Sequence, residues 1–430
     1  MDVDVPHRRA RVAAGRAIPG HVARLAVVLG VALAGPVAIA AEPTPDPSPT
    51  GPPPIPAPAT VGPPAAAPFD GVVGGEDLGR IGEPVVSAGA PPLPEVDAFA
   101  WLIADVDTGD VLAAFSPHEP RPPASTIKLL TAITAAPRLD DDDTYVADTA
   151  PESIIGSRAG IVAEGRYTVD DLMHGLLLPS GNDAAYALGE LLGGQEETLD
   201  LMNETARALG AFDTHAASPH GLDTPGQVSS AYDLALIGRA ALAEADIAVT
   251  AQAPAYDFPG RRDGETFQIQ NQNRLLGSYD GAIGLKTGYT TQAGHTFVGA
   301  AERDGRRLIA TILAAEGRAE DSAATLFDWA FAATGEDDID PVGHLVTPDD
   351  VEQAETDDGV ADDIDDTGHG AAGGAADGAA GKAVHTITDG ATNRPLLMWG
   401  AVAALAAGGV GAMTLKRRRR PAGRYAAGRR

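Results

Sequence analysis

Residues 281–315, GAIGLKTGYTTQAGHTFVGAAERDGRRLIATILAA, contain three apolar or alternating runs in succession, and their reading decides the fold. GAIGLKTGYT (281–290), GHTFVGAAER (294–303) and RRLIATILAA (306–315) each have the length and pattern of a strand, and Asp304-Gly305 is a turn signal between the last two. Towards the amino end, AFAWLIADVDTGDVLAAF (98–115) reads as two further strands about the turn Asp-Thr-Gly-Asp. The intervening sequence has helical patterns: STIKLLTAITAA after Pro123, TVDDLMHGLLL with Thr168 as N-cap, AAYALGELL, ETLDLMNETARALG and SSAYDLALIGRAALA. A last helix, AEDSAATLFDWAFAAT, follows the third strand of the opening stretch. Strands at both ends with helices between predict an α/β (α+β) domain. It would hold one antiparallel sheet of about five strands flanked by helices, with a mostly helical subdomain.

The rest of the 430 residues divides by composition. Residues 1–41 join five arginines to the apolar run LAVVLGVALAGPVAIAA, with small residues at its end, the pattern of a secretory signal peptide. Residues 42–95 read as a Pro-rich linker. Residues 336–394 hold 16 Asp or Glu against two basic residues and read as an acidic disordered linker. Residues 395–415, PLLMWGAVAALAAGGVGAMTL, carry no charge and are long enough to cross a bilayer as a transmembrane helix. The tail 416–430 opens with KRRRR, which orients it to the cytoplasm and the preceding chain to the outside of the cell membrane. The folded domain is thus expected over 96–335, exported and anchored at its carboxyl end. A net charge of −29 argues against nucleic-acid partners. With no cysteine, thiol catalysis and Cys-ligated zinc are excluded.

Only four of the 31 basic residues are lysines, at 128, 286, 382 and 416. Arginine stays protonated, whereas a buried lysine can become neutral and act as a base. Ser125 and Lys128 lie three apart at a helix start, so they share one face and the amine can reach the hydroxyl. Alone, Ser-x-x-Lys also suits an ordinary amphipathic helix with a solvated lysine. Ser180-Gly181-Asn182 sits in a break between helices, where a polar capping loop would look the same. Lys286-Thr287-Gly288 lies in an apolar strand. It offers a cation, a hydroxyl and room for close approach, or merely a charge that blunts a sheet edge.

In this order and context, the three motifs resemble the signature set of the penicillin-binding proteins and active-site-serine β-lactamases. The wider text narrows the resemblance. ADVDTGDVLAAFSPHEPRPPASTIKLLTA, LLLPSGNDAAYALGE, SPHGLD and NQNRLLGSYDGAIGLKTGYTTQAGHTFVGAAERDGRRLIATIL are similar to the low-molecular-mass, serine-type D-alanyl-D-alanine carboxypeptidases. The resemblance implies a β-lactamase/transpeptidase-like fold and removal of the terminal D-alanine from peptidoglycan stem pentapeptides. It makes Ser125 the acylated nucleophile, Lys128 its general base and Ser180 a proton relay. Asn182 would bind the substrate amide, and Lys286, Thr287 and Gly288 the terminal carboxylate. The backbone N–H groups of Ser125 and Tyr289 would form the oxyanion hole. His220 is expected to shape its loop; His295 and Arg274 receive no role. No cofactor or metal is implied, and β-lactam antibiotics would be covalent inhibitors. Many relatives carry a second, β-rich domain, where this chain has only the acidic segment before its apolar run.

The same fold serves β-lactamases, but between Ser180 and Lys286 no Glu is followed four residues later by Asn, the loop pattern of a class A enzyme. A DD-endopeptidase or transpeptidase shares the acyl-enzyme chemistry and stays open. A catalytically inactive wall-binding module is disfavoured by retention of every motif residue. A zinc peptidase lacks its His-Glu-x-x-His.

Overall fold

The strand runs at 98–115 and 281–315 pair with one another in the computed structural model, which describes residues 67–365 apart from 263 and 335–338. In chain order, a 3-10 turn (Glu76–Gly79) and β1 (Pro84–Val86) lead into the hairpin β2 (Ala100–Asp105) and β3 (Asp110–Phe115). A second 3-10 turn, Ala124–Ile127, runs into α1 (Lys128–Ala135). There follow β4 (Thr144–Val146), α2 (Ala150–Ser153), β5 (Arg166–Thr168), α3 (Val169–Leu177), α4 (Asn182–Leu191), α5 (Gln195–Ala208), α6 (Ala231–Ala243) and α7 (Ala245–Gln252). The ribbon β6 (Ala255–Pro259) and β7 (Thr266–Gln270) and the short α8 (Leu275–Ser278) precede β8 (Ala282–Thr290), β9 (Gly294–Arg303) and β10 (Arg306–Ala315). Then come α9 (Ala319–Ala333), β11 (Gly343–His344) and α10 (Pro348–Asp365).

The main sheet is antiparallel, in the order β1-β3-β2-β10-β9-β8, with β11 also on β3. The first hairpin therefore joins the last three strands, β2 lying against β10 with Leu102 opposite Thr311. Seven strands replace the expected five or so. The additions, β1 and β11, are three and two residues long, too short for an alternating pattern to register. Strand alternation splits the core between two faces. Ile103, Phe297, Leu308 and Ile312 pack with Leu326, Phe327 and Trp329 of α9. Leu102, Leu285, Val298 and Ile309 pack with α1 and α6 on the other face.

Every residue of α1 is buried, its threonines 131 and 134 included. Its one cation, Lys128, is carried inside with it. Helix α3 begins with the expected cap: Thr168 Oγ1 accepts from Asp171 N at 3.1 Å, and Asp171 Oδ2 accepts from Thr168 N at 2.9 Å.

Both linker readings need correction at their inner ends. Within 42–95, Leu78 is fully buried, Val85 sits in β1 and Pro91 O accepts from Trp329 Nε1 at 3.0 Å. Within 336–394, β11 joins the sheet, Tyr232 Oη donates to His344 O at 2.8 Å, and α10 follows. Composition hid these segments because only a few apolar side chains, Leu78, Val85 and Leu345 among them, tie them to the core. The folded part thus extends past 96–335 in both directions. Among the described residues no helix is long and apolar enough to cross a membrane. The segments read as signal peptide (1–41), transmembrane helix (395–415) and basic tail (416–430) lie outside them.

Candidate active site

Ser125 stands in the tight turn before α1. Thr126 N and Thr126 Oγ1 both donate to Pro123 O, at 3.3 and 2.6 Å, and close the turn. Ala124 takes φ 49°, a left-handed backbone that a non-glycine residue adopts only when its surroundings impose it. Two glycines crowd the turn. A Cβ on Gly221 would come within 2.1 Å of Ala124 O, and one on Gly288 within 2.8 Å of Ser125 N. The glycine of Lys-Thr-Gly is therefore what lets β8 lie against the serine.

Lys128 Nζ is 2.9 Å from Ser125 Oγ and 2.8 Å from Asn182 Oδ1, and it also donates to the backbone carbonyl of His220. A neutral amine has two N–H bonds and one lone pair. Asn182 Oδ1 and His220 O can only accept, so they take both hydrogens and leave the lone pair facing the serine hydroxyl. Burial drives the Lys128 pKa well below the usual lysine value; positive charge at Lys286 lowers it further, and Asp183 opposes. Lys286 is also buried, and desolvation lowers its pKa to about 7. Its Nζ donates to Thr287 O at 2.8 Å.

Ser180 lies in the loop between α3 and α4 at φ 64°. Its hydroxyl is buried and has no hydrogen-bond partner among the described residues. Asn182 opens α4 and donates from Nδ2 to Ile155 O at 2.7 Å, which leaves one N–H of that amide. Beside it the fully buried Asp183 accepts from the backbone N–H groups of Ala159, Gly160 and Ile161 at 2.8–3.0 Å. That carboxylate ties the loop 155–161 to the start of α4.

Ser125, Ser180, Thr287, Gly288 and Tyr289 line one open cleft of about 460 Å³, together with Ser157, Asn271, Gln272, Arg274, His295, Arg318 and Glu320. The three motifs are thus brought together. Tyr289 stacks obliquely on His295 with ring centroids 4.6 Å apart. His220 contributes its backbone carbonyl to Lys128, while its ring, held neutral by burial with a pKa lowered to about 4, accepts from Leu222 N at 3.2 Å. Loop shaping is the part expected of it. The sequence reading passed over Asp183, and it missed Arg318, which sits just beyond β10 in EGRAE and reads as an ordinary surface cation. Only the fold turns it toward the serine's cleft.

A hydroxyl facing a buried amine whose pKa is lowered, beside a second buried lysine and in an open cleft, is equipped for acyl transfer through the serine. Comparison with known proteins points the same way. The family profile "D-alanyl-D-alanine carboxypeptidase" matches residues 85–317. The D-alanyl-D-alanine carboxypeptidase DacB2 of Mycobacterium tuberculosis is 48% identical over 255 residues, covering 58% of this chain and 87% of its own. A crystal structure of a D-alanyl-D-alanine carboxypeptidase from Mycobacterium tuberculosis H37Rv is 44% identical with TM-score 0.58, covering 60% of this chain and 99% of its own. That of the Streptomyces K15 DD-transpeptidase is 29% identical with TM-score 0.54, covering 56% of this chain and all of its own. The chain belongs to the D-alanyl-D-alanine carboxypeptidase family of penicillin-binding serine peptidases.

Proposed function

We propose that Ser125 is the nucleophile and Lys128 its base in the family's reaction, hydrolysis of the terminal D-alanyl-D-alanine bond of a peptidoglycan stem peptide. The observation that carries these roles is the Lys128 amine, 2.9 Å from the Ser125 hydroxyl with its two hydrogens already engaged. As Ser125 Oγ attacks the carbonyl carbon of the penultimate D-alanine, its proton passes to Lys128 Nζ. The backbone N–H groups of Ser125 and Tyr289 receive the oxyanion, each such donor contributing about 2.7–4 kcal/mol. The C–N bond then breaks, the proton reaches the leaving amine through the Ser180 hydroxyl, and D-alanine departs. A water molecule gives its proton to Lys128, attacks the ester and frees Ser125.

Lys286 and Thr287 bind the terminal carboxylate, and Gly288 lets their strand approach. Arg274 also lines the cleft, as do Arg318, which is paired with Asp321, and Glu320. The remaining N–H of Asn182 bonds the substrate amide. Benzylpenicillin enters by the same attack and leaves an ester on Ser125. Mass spectrometry of the protein after incubation with benzylpenicillin should find the adduct on the peptide holding Ser125, persisting for minutes or longer. An unmodified mass overturns these roles, and rapid release of penicilloate favours a β-lactamase.

The same proposal places the protein outside the cytoplasmic membrane. It is exported by residues 1–41 and anchored by the apolar run 395–415, with the basic residues from Lys416 on the inner side. Deleting the chain from Pro395 onward should release active enzyme from the membrane fraction. Retention of the truncated form would make the amino-terminal run the anchor.

A further inference from the structure

Ser125 N and Tyr289 N, the two donors assigned to the oxyanion, belong to elements remote in sequence: the 3-10 turn Ala124–Ile127 and strand β8. Both donors can hold one tetrahedral intermediate only while the gap between those elements stays fixed. The gap is bridged at Pro123, the residue before the turn. Its carbonyl accepts from Thr126 N at 3.3 Å, from Thr126 Oγ1 at 2.6 Å and from Thr296 Oγ1 at 2.9 Å. The first two donors belong to the turn and move with it. The third comes from β9. Among the described residues no other hydrogen bond joins residues 123–127 to β8 or β9.

Thr296 is tied to the other half of the hole through its backbone. It lies opposite Gly288 in the β8–β9 register, next to the pair of Tyr289 with His295. Its Oγ1 sits against Gly288, so close that a Cβ there would come within 2.4 Å of it. One residue thus holds the strand by its main chain and the serine turn by its hydroxyl. The side chain is buried, and the single proton of its hydroxyl is committed to Pro123 O. Thr296 therefore acts through the turn and not by touching substrate. The turn needs an outside tie, because Ala124, at φ 49°, holds a conformation that persists only where neighbouring structure imposes it.

We propose that Thr296 is a positioning residue for the oxyanion hole, its hydroxyl setting the separation of Ser125 N from Tyr289 N. The proposal rests on the acyl-enzyme role of Ser125. Because the oxyanion exists only in the tetrahedral states, loss of the tie should slow the chemical steps and leave ground-state binding unchanged. Removing a whole donor costs about 10²–10³-fold, so displacing one without removing it should cost about ten- to fiftyfold.

The test follows benzylpenicillin on the full-length protein and three variants. Thr296→Val keeps the side-chain shape and leaves Pro123 O with both Thr126 donors; Thr296→Ala removes the hydroxyl without adding a methyl; Thr296→Ser restores the hydroxyl. Stopped-flow measurements separate the dissociation constant of the non-covalent complex from the rate constants of acylation and of adduct hydrolysis. Hydrolysis passes through a tetrahedral adduct of water at the same carbonyl. In Thr296→Val and Thr296→Ala both rate constants should therefore fall by about ten- to fiftyfold at an unchanged dissociation constant, and Thr296→Ser should return them close to wild type. Infrared difference spectra of the adduct supply a second readout. An ester carbonyl polarised by both donors absorbs at lower wavenumber, so its band should move upward in Thr296→Val and Thr296→Ala and return in Thr296→Ser. Wild-type rates and band in the two variants without the hydroxyl overturn the assignment. So does a smaller fraction of acylable protein that reacts at wild-type rates with the wild-type band, the mark of a role in folding alone. Failure of the wild type to form any adduct refutes instead the role of Ser125 on which the hole is built.

Discussion

Replacing Lys128 by arginine keeps a cation of similar reach and removes only the ability to become neutral. Lys128 is fully buried, and in its neutral form, with Asn182 Oδ1 and the His220 carbonyl accepting its two hydrogens, the lone pair faces Ser125. Burial and the charge at Lys286 both drive it toward that neutral form. A guanidinium has no lone pair to offer and does not deprotonate, so it can donate to the serine but not accept from it. General-base assistance supplies about 10²–10⁴-fold, and the second-order rate of acylation by benzylpenicillin should fall by at least that much in Lys128→Arg. The assay is stopped-flow or quenched mass spectrometry of adduct formation, after circular dichroism and thermal melting show a folded variant. Acylation within about threefold of wild type by a folded Lys128→Arg protein would refute the base assignment. The lysine at this position would then lack a chemical reason.

Three other substitutions test the site from different directions. Lys286, with a pKa lowered to about 7, carries its charge only below that pH, so kcat/KM for a D-alanyl-D-alanine peptide should fall as pH rises through about 7. Lys286→Arg, partly active, should lose that alkaline limb because a guanidinium stays charged; persistence of the limb would assign it elsewhere. Gly288→Ala sets a Cβ 2.4 Å from Thr296 Oγ1 and 2.8 Å from Ser125 N, forcing β8 away from the serine turn. Acylation should fall by about ten- to a hundredfold in a protein of near-normal Tm, and an unchanged rate would show that the close approach is idle. Asp183→Asn replaces a buried carboxylate that four backbone N–H groups address and should cost about 2 kcal/mol, read as a Tm drop of about 5 °C in calorimetry. A melting curve that overlays the wild type would remove Asp183 as the brace of loop 155–161.

The sheet and its connection were legible because five of its strands are long enough for period and turn signals to register. The hairpin at Asp304-Gly305 and the capping box at Thr168 are local devices that leave local traces. The ribbons β4–β5 and β6–β7 left none. TYV pairs with RYT and AYDFP with TFQIQ, short runs whose partners are remote or mostly exposed. The site divides in the same way. Ser125, Lys128, Ser180, Asn182, Lys286 and Thr287 were visible because each motif has its own spacing on its own element. Arg318, the carbonyl of His220 and the carboxylate of Asp183 were not, since their relevance lies in where other segments put them. Gly221 is the sharpest case: it looks like a turn glycine, yet its missing Cβ is what admits Ala124 O.

The two buried lysines also account for each other in a way neither motif reveals alone. Both amines lose solvation in the interior, and each would shed its proton more readily than in water. What separates them is the company each keeps. Lys128 meets two carbonyl-type acceptors and a hydroxyl, whereas Lys286 donates to Thr287 O in a strand that lines the cleft where a carboxylate would arrive. A bound carboxylate favours the charged form of Lys286, and charge at Lys286 lowers the pKa of Lys128. Under the proposed roles, substrate binding would push the two amines in opposite directions, Lys286 toward the charged form and Lys128 toward the neutral one. Arginine at 286 would keep the first effect without its dependence on substrate, and arginine at 128 would abolish the second. On the proposed roles, that asymmetry gives a chemical reason for lysine rather than arginine at 128 and 286, two of only four lysines in the chain.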